Sequence, residues 1–428
     1  MHPYRRTLAR YPQAAGGGLI DRRAFLGAGL LAGAAGVAAG APAAAVGEQL
    51  PPSMLRPGAA LSTYGIPSRY EASVQRLIKR PTVDVSPGTG SSRTPLHRLN
   101  GIITPSGLHF QRNHNGVPDI NPAGHRLLVH GLVRRPLTFT VDALLRYPSI
   151  SRICFIECGG NSDVNAANDE PQQVTVGAIH GLISCSEWSG VPLGVLLDEA
   201  GIAPDASWLL VEGADAAGMS RSIPLIHARD HAIVALYQNG ERLRPEQGYP
   251  VRLLVPGWEG NINVKWLHRI KVTSGPMETR DETSHYTELR RDGKALQFDF
   301  IMPVKSVIVL PSAGLTMQGP GWYEISGLAW SGMGRVAKVE VSADGGRSWA
   351  EAALQAPVLP QCLTRFRLPW HWSGQPALLQ SRAFDEHGNT QPTRSDWVSR
   401  FAADQEYHNN SIQGWGVTGG GEVLNVYT

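Results

Sequence analysis

A chain of 428 residues with 42% hydrophobic and 18% charged content is long enough to bury two cores and too apolar to be disordered. Its formal charge of +3 is too small to argue for a nucleic-acid partner. With 48 glycines and 31 prolines, the composition suits a loop-rich protein containing much β structure rather than a helical bundle.

Residues 1–45 read as a targeting segment. Arg22 and Arg23 precede an Ala/Gly-rich, weakly apolar run from Gly27 to Ala41, and Ala43, Ala44 and Ala45 offer a small-residue cleavage site. The consecutive arginines look like a twin-arginine signal, which predicts export of an already folded protein to the periplasm. The plainer alternative is an Ala/Gly-rich disordered tail. No later stretch is a credible membrane span. Residues 46–104 form a Pro/Ser/Gly-rich arm that lacks the apolar content for a core and should wrap over one.

Residues 105–276 alternate short apolar strands with modest helices. Residues 126–133 read as a strand, 140–147 as a short helix with Thr140 at its N-cap, and 193–200 as a helix stopped by Gly201. A linker of residues 277–302 follows. Residues 303–402 change texture: 322–330, 336–342 and 376–385 are strand candidates, and Asp344-Gly345-Gly346 is a turn that wants positive φ. Several short strands with glycine turns predict a small β-sandwich. The segment Ser342–Trp349 also resembles a propeller aspartate-box hairpin, but it occurs once and propellers repeat it. Residues 403–428 are left as a C-terminal tail.

Chemistry concentrates at Phe155-Ile156-Glu157-Cys158-Gly159-Gly160-Asn161. A thiol beside two glycines sits where backbone can approach a bulky group closely. A lone cysteine is more often a small buried hydrophobe than a ligand, so other segments must decide. Four cysteines allow three complete pairings. Cys154 and Cys158 on one extended strand would lie roughly 13 Å apart, too far to bridge, and Cys185 and Cys362 are taken as buried thiols. His227 and His231 have helical i, i+4 spacing but no evident third ligand, and are read as polar surface.

Phe110-Gln111-Arg112-Asn113-His114, the Cys158 segment, Gly248-Tyr249-Pro250-Val251-Arg252 and Val264-Lys265-Trp266 together resemble the molybdenum-cofactor domain of the sulfite oxidase family, in the same order and at similar spacing. The resemblance implies an α+β molybdenum-cofactor domain followed by an immunoglobulin-like β-sandwich that serves dimerisation. It further implies molybdenum held by a molybdopterin (a pyranopterin dithiolene) and by the Cys158 thiolate, a soft donor suited to such a metal. Arg112 would contact the substrate oxyanion or the metal centre, and Arg365, with Arg367 as the competing alignment, would reach the pocket from the second domain. Asn113 and His114 would face the cofactor, Asp215 would bind the pterin, Arg252 and Lys265 would hold its phosphate, and Asn263 would be a polar neighbour.

The departures carry information. Ser162 and Asp163 stand where the family typically has two arginines, Gln247 replaces a histidine, Ile262 an arginine, and the active-centre tyrosine has no clean match, Tyr286 lying slightly early. Loss of positive charge argues against free sulfite as the main substrate. These features resemble the sulfane dehydrogenase branch of the family. They imply oxidation of a persulfide on a sulfur-carrier protein, with electrons passing to a c-type cytochrome subunit, because the chain has no haem-attachment motif of its own. A homodimer or heterotetramer is expected. The alternatives are a sulfite dehydrogenase and a non-catalytic periplasmic subunit.

Overall fold

The structure is a computed structural model that describes residues 54, 62–79, 88–166, 169–401 and 406–428. The targeting segment, including Arg22 and Arg23, lies outside the described residues. Three sheets build the first domain. One is antiparallel, in the order Glu241–Arg242, Ile233–Gln238, Ile183–Pro192, Ile150–Glu157, with Arg252–Leu254 also pairing with Ile233–Gln238. The second runs Leu137–Thr140, Arg126–Gly131, Leu267–Thr273, Trp208–Gly213, Ser220–Pro224, and only its Arg126–Gly131 and Leu267–Thr273 pair is parallel. The third consists of Leu77–Lys79, Gly90–Arg93 and Gln111–Asn113.

Local chemistry accounts for the helices. Thr140 caps Val141–Leu144 by accepting from the Ala143 N–H at 3.0 Å, a contact worth about 1 kcal/mol. Leu193–Ala200 ends at Gly201, whose φ of 71° a side chain would strain. This helix buries Leu193, Leu196, Leu197 and Ala200 against Val191, Val211 and Leu253. His227 and His231 do lie on one helix, Leu225–His231, where the His227 ring stacks on Trp258.

The second domain is an immunoglobulin-like β-sandwich. Its first sheet runs Lys305–Leu310, Gly321–Trp330, Thr364–Trp372, Ala353–Leu354, and its second Ala350–Glu351, Val336–Ser342, Ala377–Asp385, Gly414–Val417, Val423–Val426, antiparallel throughout. Gly345 and Gly346 adopt the expected positive φ, 74° and 83°. The segment read as a C-terminal tail is not one: Gly414–Val417 and Val423–Val426 complete the second sheet, and Trp415 is buried in its core. Each strand is only four residues long; Gly414–Val417 pairs with the distant Ala377–Asp385, and Val423–Val426 pairs with Gly414–Val417.

The two domains share one hydrophobic core. Phe155, Ile179, Ile183 and Cys185 of the first pack with Val307, Leu328, Trp330 and Cys362 of the second. All four cysteines are free, and the Cys185 and Cys362 Sγ atoms approach to 3.5 Å across this junction. Beside it, the buried Lys305 Nζ stands 3.4 Å from Glu157 Oε1 and donates to Ser162 Oγ at 2.8 Å. Glu157 also accepts from Trp330 Nε1 at 2.6 Å and Asn161 Nδ2 at 2.9 Å, so the residue preceding Cys158 is locked to the second domain. Among the described residues no helix is long and apolar enough to cross a membrane.

Candidate active site

Cys158 follows the end of Ile150–Glu157, and its N–H donates to Leu182 O at 3.0 Å. Neither following glycine has positive φ; the strained position is Ser162, at φ 78°. The expectation of close approach by a bulky group holds in a different sense. A Cβ on Gly159 would overlap the Glu259 carboxylate, so this glycine makes room for the protein's own side chain. Gly160 faces a cavity.

Cys158 joins two cavities. The inner one is walled by Arg112, Asn113, His114, Asp215, Arg252 and Lys265, together with Gln247, Asn263 and Tyr286. Folding thus gathers four segments spread over more than 150 positions around one space. Its cations are held under strain. Burial, then the neighbouring Arg252, pulls the Lys265 ammonium down to about 7, and burial pulls the Arg252 guanidinium to about 9. Lys265 Nζ donates to Arg112 O at 3.1 Å and to Asn113 Oδ1, and lies 4.4 Å from the Trp266 ring centroid. Arg252 donates to Gln247 O at 3.0 Å and Asn263 O at 2.8 Å, while its Nε has no protein partner. Two cations beside one cavity, one with an unused donor, are the donor set for an anionic group such as a phosphate.

Asn263 borders the cavity and also fastens the surrounding loop: its Oδ1 accepts from Val255 N at 2.7 Å and its Nδ2 donates to Trp258 O and Glu259 O. Asp215 does line the cavity, with Oδ1 near Met219 N at 3.3 Å. His114 lines both cavities; burial, then Arg112, holds its imidazole down at about 4 and therefore neutral at pH 7.

Arg365 is the expectation the structure corrects. It borders neither cavity; its Nε donates to Gly101 O at 3.0 Å and it reaches Leu99 O at 3.4 Å, clamping the arm to the second domain. Its strand lies inside the four-stranded sheet, which fixes its direction. Arg367 does not substitute, being paired with Glu324 and Asn100.

The outer cavity opens from Cys158 past Arg112, His114, His285, Tyr286 and Tyr407. Although Ser162 and Asp163 bring no positive charge, the mouth is basic. Asp163 is not a bare carboxylate: Arg93 NH2 binds both its oxygens, at 2.8 and 3.0 Å, and Lys79 Nζ binds at 3.0 Å. These cations, ahead of its burial in net effect, hold the Asp163 carboxyl below its usual range. Lys79, Arg93, Arg112 and Arg280 line the mouth against Asp163 and Glu406, so basic groups outnumber acidic ones. Arg93 and Lys79 sit on the strands Gly90–Arg93 and Leu77–Lys79, 70 and 84 positions before Asp163, and no local motif marks them.

Two tyrosines outside the motifs, Tyr286 and Tyr407, also reach the outer cavity. Tyr286 lines both cavities, its ring under the Arg221 guanidinium at 4.6 Å and 5.7 Å from the Tyr407 ring. Burial raises both phenols, Tyr407 to about 12, so both keep their protons. The signal for Tyr407 was its place in Glu406-Tyr407-His408, but nothing local tied that segment to Cys158. Burial pushes the Cys158 thiol up to about 11, so without a bound cation it stays protonated; a coordinated metal would remove the proton.

Residues 114–280 match the oxidoreductase molybdopterin binding domain, and residues 297–415 match the Mo-co oxidoreductase dimerisation domain. The crystal structure of the sulfane dehydrogenase SoxCD from Paracoccus pantotrophus contains a chain 42% identical to this one, superposing with a TM-score of 0.86 over 91% of this chain and 100% of that one. The chain belongs to the sulfite oxidase family. It is a molybdenum oxidoreductase whose cofactor is molybdopterin carrying molybdenum, and the cavity chemistry fits that group: a thiol, a buried arginine and a half-buried lysine line one space. Inducible NADH nitrate reductase 2 of Glycine max is 34% identical over 351 residues and NAD(P)H nitrate reductase of Hordeum vulgare 34% over 350. The matched region is 72% of this chain but only 39% of each of those proteins, so the chain spans well under half their length.

The lowered Lys265 value gives a pH prediction for cofactor-free protein. With a folded value near 7 against 10.5 when exposed, the unfolded chain binds more protons between these pH values. Its contribution to stability therefore rises from about pH 7 to about pH 10.5 and is flat below 7. Urea unfolding at pH 7 and pH 9 should show this rise in the wild type and a smaller one in Lys265→Met; equal slopes would refute it.

Proposed function

We propose that this chain oxidises sulfane sulfur, presented as a cysteine persulfide on a carrier protein, and passes the electrons to a c-type cytochrome subunit. The observation that carries this reading is the 42% identity to the sulfane dehydrogenase chain over that chain's whole length. When bound, the molybdenum cofactor supplies oxygen-atom transfer: each oxygen gained by sulfur from water releases two electrons and two protons.

Cys158 serves as the thiolate ligand. Arg252 and Lys265 hold the cofactor phosphate, which restores the charge that burial makes unfavourable, while Asp215, Asn113 and His114 border the rest of the group. Arg112, the one arginine bordering both cavities, holds the sulfur substrate's growing negative charge. Tyr286 and Tyr407 present neutral phenols and exclude water near Cys158. The open, basic mouth admits a persulfide on a carrier's extended segment, with the Arg93–Asp163–Lys79 triplet at its wall. A homodimer or a heterotetramer with the cytochrome fits the dimerisation domain.

A second reading, oxidation of free sulfite, draws on the retained positive charge of that mouth. Steady-state assays with holoenzyme and one cytochrome acceptor separate the two: kcat/KM should be higher for carrier persulfide, and a higher value for sulfite would overturn the first reading. The Arg22-Arg23 pair directs export of the folded protein to the periplasm. Changing both to Lys keeps the charge yet should strand precursor in the cytoplasm; an unchanged periplasmic yield would count against it.

A further inference from the structure

Behind the Cys158 loop lies a second group of polar side chains that the reaction does not use. His408 donates its backbone N–H to Gly159 O at 2.8 Å and takes a positive φ of 52°, which turns its imidazole away from the substrate cavities. It points instead at Glu288 and Asp299: Nδ1 stands 2.5 Å from Glu288 Oε1 and 3.7 Å from Asp299 Oδ2. One imidazole nitrogen and one oxygen from each carboxylate all fall within 4.8 Å of one another. We propose that His408, Glu288 and Asp299 bind a divalent transition-metal ion of the zinc class, at a site separate from the molybdenum centre.

Three observations carry this. The first is unmet bonding capacity. Glu288 is 2% exposed and His408 7%; Nδ1 and Oε1 meet each other as an ion pair, but Glu288 Oε2 and His408 Nε2 make no hydrogen bond. Buried polar atoms normally have a partner, and two left over on facing side chains need a common explanation. The second is charge. Glu259 Oε1 lies 3.8 Å from His408 Nε2, so three carboxylates face one imidazole. Arg221 is already bidentate on Glu282 at 2.7 and 3.2 Å and reaches Glu259 only at 3.4 Å. Although burial opposes it, Asp299, Glu288 and Glu259 raise His408 well above its usual range, so the ring carries a proton that an ion would displace; a dication would offset the three carboxylates more fully than that single proton. The third is access. Glu288, Asp299 and His408 all border a third cavity between the linker and the second domain. Of the arginines bordering that cavity, Arg382 is bonded to Glu340 at 2.7 Å and Arg400 stands exposed. An ion could therefore enter with water as its remaining ligand.

The donors choose the ion. Imidazole with carboxylates suits zinc and its first-row neighbours, whereas magnesium and calcium prefer oxygen alone. In a tetrahedral zinc site the ligand atoms stand about 3.4 Å apart, given bonds of about 2.1 Å. The 3.7 Å separation already matches, and the 2.5 Å one must open by about 1 Å as an ion replaces direct contact. Because the ligands come from the linker and from the segment that carries Tyr407, the ion would pin Tyr407 and Gly159 together from behind.

The test uses full-length holoprotein, treated with a chelator, equilibrated with zinc chloride and desalted, with zinc and molybdenum measured in the same sample. Wild type should retain about one zinc per chain, and Glu288→Gln and Asp299→Asn should each weaken retention at least about tenfold with molybdenum unchanged. Asp299 is partly exposed, its side chain 38% accessible, so its amide variant should fold. As an independent measure on native protein, added zinc should raise the unfolding temperature of wild type but not of Asp299→Asn. Negligible zinc in wild type, equal retention in all three proteins, or no wild-type thermal shift would overturn the site.

Discussion

Cys158→Ser abolishes turnover while the protein keeps its fold. The hydroxyl is a hard donor with a far higher pKa than a thiol, and cannot replace a soft thiolate on molybdenum. The fold survives because the segment is anchored by other groups. Cys158 is held through its backbone N–H to Leu182, Gly159 through its carbonyl to His408, and Glu157 through Trp330, Asn161 and Lys305. The checks are molybdenum content, turnover and the thermal unfolding profile of one preparation. Retained turnover at wild-type level would remove Cys158 from the metal.

Lys305→Met destabilises the protein by about 3–5 kcal/mol, because it leaves the Glu157 carboxylate buried without its cation. Restoring neutrality with Glu157→Gln in the same chain should recover most of that loss. The amide oxygen can still accept from Trp330 Nε1 and Asn161 Nδ2, and the charge has gone. Because Glu157 adjoins Cys158 and Lys305 begins the sandwich, the single variant should also loosen the cysteine loop and lower molybdenum retention. Chemical denaturation of the three proteins, read against the wild type, checks both statements. A Lys305→Met protein as stable as wild type would show that this pair does not hold the domains together.

The thiol, the cations and the polar groups assigned to the site divide sharply in how far they could be read beforehand. Cys158, Arg112, Arg252 and Lys265 stood in motifs whose resemblance to the sulfite oxidase family implied a shared site, and folding does bring them to one cavity. Asn263 stood in the same kind of motif and borders the cavity, but its side chain also fastens the loop through hydrogen bonds no motif records. Arg365 was placed by alignment of one charged residue in a strand, where neighbouring Arg367 served equally well. Strand direction and sheet position then send both elsewhere.

What the sequence by itself determined is therefore the family, the two-domain order and the thiol, because each is written in short runs of neighbouring residues: motif spacing, turn glycines and period-two strands. What only the tertiary structure decided is the charge of the mouth, the membership of the last strands and the surroundings of His408. The substitution of Asp163 for an arginine looked like a loss of two positive charges, yet Arg93 and Lys79 reach it from strands 70 and 84 positions earlier. Electrostatic energy depends on distance in space and on burial, neither of which chain separation fixes. The same reason hid the last two strands, the first of which pairs with Ala377–Asp385, and the cluster around His408, whose carboxylates lie in the linker and whose histidine lies in the C-terminal segment, so that only folding collects them.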